Sequence, residues 1–192
     1  MQEQNKHRGH TSLVAGATLI VIIAAIVIYG ISLESGSDAD GLETITLPFG
    51  LSLTFPEECG PAIAQVSEET DSTYTAYIFQ ATSTDAIYSL TAYENAVEAG
   101  EDSVYNADYF YATSVMFYGE ENILDVCIVE LPAVDALRTI ARIEDDEWFV
   151  CVTYEFIYNR AVVSLNYAYP GTELDAEHIA RSDMYAAGLT FK

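Results

Sequence analysis

Positive charge is what this chain has least of. Seven Lys and Arg stand against 30 Asp and Glu, a formal net charge of −23. A polyanion of this size repels nucleic acid and anionic lipid headgroups, so no nucleic-acid partner is expected, and partners are neutral, cationic or metal-bridged. The same surface gives solubility and suits high salt, where counterions screen its self-repulsion. Cysteine is scarce too: Cys59, Cys127 and Cys151, an odd number without CxxC or any Cys/His zinc spacing. One bridge with a spare thiol stays open beside the reading we prefer, three buried thiols acting as small apolar residues. Beyond residue 10 the only histidine is His178. The chain has no GxSxG, HExxH or Gly-rich phosphate loop, so no catalytic residue and no cofactor is assigned. General acid and base pairs are recognised by geometry rather than spacing, and this keeps a carboxylate-pair hydrolase open.

What is present begins with Leu13 to Ile31, nineteen residues without a charge, preceded by Lys6, His7, Arg8 and His10. At about 1.5 Å per residue such a run reaches across a hydrocarbon core about 30 Å thick with its backbone amides satisfied internally. The basic flank stays cytoplasmic. The expected organisation is a cytoplasmic tail over 1–12, a transmembrane signal anchor over 13–33, an acidic linker over 34–43 and an extracytoplasmic domain over 44–192. A cleaved signal peptide is the rival reading, with Ser37-Asp38-Ala39 as a cleavage site, but a secretory apolar region is usually about 7–15 residues. Residues 34–192 carry 29 acids against 5 bases, in a length that supports one domain with a sizeable core.

From Thr44 to Phe55 apolar residues recur at every second position, interrupted by Pro48 and Gly50, which predicts two short strands and a turn. Further strands are expected at Tyr74–Ala81 and Ala86–Tyr93. Asp102 to Tyr118 breaks the alternation and places Tyr105, Tyr109, Ala112 and Met116 on one helical stripe, with Asp102 or Ser103 as cap. A second helix is expected after the capping signal at Thr172–Asp175, ending before Gly188, and Leu189–Phe191 adds a last strand. The fold class is α+β: an antiparallel sheet of six or seven strands with both helices on one face.

Two hairpins can be written in register between Leu137 and Tyr169. With Asn159-Arg160 as the loop, Tyr158, Phe156, Tyr154, Val152 and Val150 face Ala161, Val163, Leu165, Tyr167 and Tyr169, because a one-residue slip would set that apolar row against Val162, Ser164, Asn166 and Ala168. Pairing Ile143 with Trp148 puts Leu137, Thr139, Ala141 and Ile143 on the core side. The other face then gathers Arg138, Arg142, Thr153, Glu155 and Asn166, a shallow polar surface for a carboxylate-bearing or hydroxylated ligand with Arg as fork donor. The bland reading of the same surface is a solvated face with cross-strand pairs. Glu144, Asp145, Asp146 and Glu147 form an acidic turn that is the candidate divalent-cation site.

Three stretches resemble the PsbP/Mog1-like α/β sandwich superfamily: Gly50-Leu-Ser-Leu-Thr-Phe-Pro56, the hairpin from Trp148 to Pro170, and Ser182-Asp-Met-Tyr-Ala-Ala-Gly-Leu-Thr-Phe191. The resemblance implies a non-enzymatic binding or assembly module and carries no site residues over. A membrane anchor stands here where a lipid-attachment cysteine would, so the mode of attachment does not transfer. The functional expectation is an extracytoplasmic binding or interaction module for an envelope component or protein partner. The alternatives are a cell-envelope hydrolase and a calcium-responsive acidic domain. A cleft with two converging, apolar-shielded carboxyls would favour the hydrolase; a shallow sheet or tyrosine-lined surface would favour binding.

Overall fold

Period-two alternation becomes strand wherever the sequence showed it. The computed structural model describes residues 44–68, 74–97, 106–144 and 147–192; the expected tail, span and linker lie outside them. Among the described residues no helix is long and apolar enough to cross a membrane. β1 (Thr44–Thr46) and β2 (Leu51–Thr54) form the hairpin around Pro48 and Gly50, and β10 (Leu189–Phe191) pairs with the other edge of β2. Gly50 sits at φ 91° and its carbonyl accepts from Lys192 N at 3.0 Å. A Cβ there would lie 2.9 Å from the Lys192 carbonyl oxygen, so the turn requires glycine both for its backbone angle and for this close approach.

The main sheet is fully antiparallel, in the order β3-β4-β5-β9-β8-β7-β6. Its strands are β3 (Ile63–Glu68), β4 (Thr75–Thr82), β5 (Ile87–Glu94), β6 (Ile123–Glu130), β7 (Asp135–Glu144), β8 (Trp148–Tyr158) and β9 (Ala161–Pro170). β3 and β6 were not assigned from the sequence. Both are edge strands with exposed apolar residues (Ile128 is 61% exposed), so burial imprints little pattern on them. The β8–β9 register is the one read from the sequence, from Val150 opposite Tyr169 to Tyr158 opposite Ala161. Asn159 and Arg160 both take positive φ, 47° and 66°, as a two-residue primed turn demands. Asn159 Nδ2 donates to Phe49 O at 2.8 Å and Arg160 Nε to Val97 O at 3.0 Å, which compensates an Arg in the left-handed region.

Three expectations are corrected. The β7–β8 hairpin pairs Glu144, not Ile143, with Trp148, so Arg138, Ile140 and Arg142 stand opposite Tyr154, Val152 and Val150, while Leu137, Thr139 and Ala141 stand opposite Glu155, Thr153 and Cys151. A slip of one residue exchanges the faces. Alternation assigns faces only where one of them is wet, and here both are covered: Ile140 is buried on one side, Leu137, Thr139 and Ala141 on the other. The two helices do not share a face either. α1 (Ala107–Tyr118) lies over the side carrying Thr139 and Thr153, and α2 (Ala176–Ala187) over the side carrying Tyr154 and Tyr167. Asn106 caps α1, its side chain accepting from Tyr109 N at 3.0 Å, and Asp102, Ser103 and Tyr105 lie outside the described residues. The buried stripe of α1 is Phe110, Ser114 and Tyr118, and Met116 is exposed; its surrounding aromatics gave the sequence no clean amphipathic direction.

The larger core lies on the α2 side, where the three-stranded sheet (Leu51, Leu53, Leu189) and Tyr185 of α2 close over Leu90, Val152, Tyr154, Leu165 and Tyr167. On the α1 side two smaller clusters, around Phe110, Leu137 and Val162 and around Tyr118, Phe149 and Cys151, flank a polar belt. The three thiols are free, and burial pushes those of Cys59 and Cys151 up to about 12, keeping them protonated and unreactive.

Candidate functional site

The five residues expected to form one polar patch are divided between opposite faces of the sheet. Arg138, on the α2 face, holds Asp125 at 3.3 Å and Asp183 at 3.1 Å, while Tyr154 donates to the same Asp183 oxygen at 2.6 Å. With its side chain only 16% exposed, Arg138 fastens the edge of the sheet to α2. Arg142 donates to the carbonyl of Glu121 at 3.3 Å and lies 5.8 Å from the centre of the Trp148 ring. Glu144 and Glu147 are exposed beside the β7–β8 turn, and Asp145 and Asp146 lie outside the described residues. Among the described residues no group of three or more His, Cys, Asp or Glu is placed to hold a metal ion.

Thr153, Glu155 and Asn166 do come together, but beneath α1. Strand pairing sets Ser89, Asn166, Thr153 and Thr139 in one row and Thr91, Ser164 and Glu155 in the next, all buried. Tyr118 OH lies 3.1 Å from Thr153 Oγ1, which donates to Asn166 Oδ1 at 3.0 Å. From α1, Ser114 Oγ lies 3.2 Å from Thr139 Oγ1 and 3.4 Å from Glu155 Oε2. Glu155 is 5% exposed, and burial pushes its carboxyl up to about 8, against a lesser lowering by Ser114, so at neutral pH it holds its proton. It also lines an open pocket of about 240 Å³ between the start of α1 and the β7–β8 pair, with Asn106, Phe110, Asp135, Leu137 and Ile157.

A second pocket, about 300 Å³, opens on the α2 side. Its floor is Phe55, Tyr88 and Tyr185, and its rim carries Glu58, Arg181 and Met184. The Tyr185 ring centre is 5.0 Å from that of Tyr88 and 5.8 Å from that of Phe55. Tyr88 OH donates to Glu58 at 3.1 Å, and burial raises its phenol far above the usual range. Arg181 donates to Asp85 at 2.7 Å and to Glu177 at 2.8 Å, so both acids pre-orient the guanidinium at the rim. Behind it, Tyr167 OH meets His178 Nδ1 at 2.5 Å, and the His178 ring stacks on Tyr169 at 4.1 Å. The sequence reading passed over these residues because they come from β2, the following loop, β5 and α2. The one local signal was Arg181, a rare cation four residues after Glu177.

The antiparallel sheet, covered by a helix on each face and closed by a small sheet that joins the two ends of the described chain, invites comparison with known folds. No family model matches the sequence, and no curated protein does. Among solved structures, the chain is similar to cyanobacterial PsbP (CyanoP) from Synechocystis sp. PCC 6803, with a TM-score of 0.50 and 10% identity over 82% of this chain and 96% of that one. The fold is PsbP-like. A crystal structure of a protein from Bacteroides thetaiotaomicron VPI-5482 matches at a TM-score of 0.49 and 8% identity over 78% of this chain and 48% of that one, so the present chain spans about half its length. At such identities the likeness concerns the fold alone. Within the PsbP-like fold, both pockets are built from this chain's own side chains.

Proposed function

We propose that this chain is a non-enzymatic binding or interaction module, tethered through residues 13–33 with its N-terminus cytoplasmic and its PsbP-like domain outside, that engages an envelope component or a protein partner. The observation that carries the binding role is the pocket on the α2 side. Its aromatic floor is held by buried residues, and its rim offers an oriented Arg181 beside Glu58. Aromatic floors with a few placed polar groups are the usual make-up of recognition sites. The uncharged run after a basic flank supports the tether. Hydrolysis draws less support: in the pocket at α1, Glu155 is shielded but Asp135 is exposed, so two shielded carboxyls do not converge.

Two experiments on the full-length chain in cells test this reading. A photo-crosslinking residue replacing Met184, which is 75% exposed at the pocket rim, is expected to give a discrete adduct, whereas one replacing Met116 on α1 gives none. Equal labelling from both positions, or none from Met184, overturns the assignment of the binding surface. Protease added outside, after any wall or outer layer is removed, is expected to degrade the domain. A domain that survives while control surface proteins are cut overturns the topology.

A further inference from the structure

We infer that the pocket at the start of α1 binds an organic cation, an alkylammonium or guanidinium group, with Glu155 as its counter-ion. The inference concerns a different surface from the one just proposed and stands whether or not the tether reading holds. Glu155 is 5% exposed and lines the pocket, and its Oε2 accepts from Ser114 Oγ at a long 3.4 Å. The pocket lining contains no Lys, Arg or His, and its other charged group, Asp135 on β7, has the same sign. Among the described residues no element packed around the carboxyl supplies a positive charge, and β6 adds Glu130 opposite Asp135. α1 brings Ser114 and the phenol of Tyr118, which burial keeps protonated; β9 brings Ser164 and Asn166; β7 brings Thr139 and Asp135. A buried carboxyl in such company must keep its proton or acquire a positive partner.

The shape of the pocket selects among cations. Phe110, Leu137 and Ile157 offer an apolar wall for a short alkyl stem, and Asp135, exposed at the mouth, adds negative potential that favours a cationic head. A bare divalent ion would need six or more oxygens, which this lining lacks. An anion meets two carboxyl groups. The amide of Tyr109, in the first turn of α1, is occupied by the Asn106 side chain and is not offered to a ligand. The domain's excess of acids raises the local concentration of any cation before contact. On binding, the ammonium replaces the carboxyl proton: Glu155–COOH and R–NH₃⁺ give the ion pair, and one proton leaves to solvent.

That exchange supplies the test. The full-length chain is titrated with n-butylammonium, and separately with n-butanol as its uncharged counterpart, while the methyl resonances of Ile128, Leu137 and Ile157 are followed. Butylammonium is expected to shift these methyls with an affinity that rises about tenfold per pH unit from pH 5.5 to 7.5, since the free carboxyl holds its proton across that range. Glu155→Gln is expected to flatten the pH dependence and weaken binding at pH 7.5 at least tenfold. Asp135→Asn, on the exposed rim, weakens binding but keeps the pH slope. An affinity that does not change with pH in the native chain, or butanol binding as well as butylammonium, overturns the proposal.

Discussion

At the scale of single residues, Glu155 carries the largest electrostatic consequence. Burial pushes its carboxyl from the usual carboxylate range up to about 8, so over that interval the folded state holds a proton that the unfolded state has lost. The group's contribution is therefore favourable at low pH and declines as pH rises through that window. Glu155→Gln is expected to remove this slope and to stabilise the domain by about 4 kcal/mol at pH 7.5; denaturant melts at pH 5 and 7.5 check it, and parallel slopes in both proteins refute it. Gly50 makes the opposite case, a residue with no chemistry whose absence is felt. Gly50→Ala meets both a positive φ and the Lys192 carbonyl, and should cost about 1–2 kcal/mol or more, read as a lower thermal midpoint. Glu155 was legible as a polar strand residue. That it is buried was not, because its cover, α1, lies forty residues away and presents Ser114 from an aromatic-rich face.

At the scale of elements, the helices provide separate tests because they sit on opposite faces. Asn106→Ala deletes the cap of α1 and is expected to cost about 1 kcal/mol, raising amide exchange in α1 and leaving α2 unchanged. Tyr154→Phe removes the hydroxyl that meets Asp183 at 2.6 Å and Ser182 at 3.0 Å; a cost of about 1–3 kcal/mol should appear as faster exchange in α2 alone. Exchange that rises in both helices for either variant would contradict the two-faced arrangement. The β8–β9 hairpin was readable to the residue, because its apolar row and its polar row differ sharply. The β7–β8 hairpin was not: Leu137-Thr139-Ala141 and Ala136-Ile140 are both buried rows, and alternation distinguishes faces only when one of them is wet.

At the scale of the whole molecule, charge governs behaviour outside the core. With acids in such excess, self-repulsion works against compactness, and the thermal midpoint is expected to rise as sodium chloride goes from 10 mM to 1 M. A midpoint that falls over that range would place the stabilising electrostatics in specific pairs such as Arg138–Asp183 and Arg181–Asp85 instead. The PsbP-like likeness, read from three stretches of sequence, holds for the fold, and it leaves function to the pockets.

Composition and periodicity by themselves determined the acidic character, the strands with one clean apolar row, the second helix and the last strand, because each follows from neighbours a few residues apart. Tertiary structure alone decided which face each helix covers, that Arg138 and Glu155 point to opposite sides of one sheet, and that Phe55, Tyr88 and Tyr185 meet in a pocket. Those outcomes depend on contacts between distant segments, and such contacts contribute no energy until the chain has closed and brought the segments together.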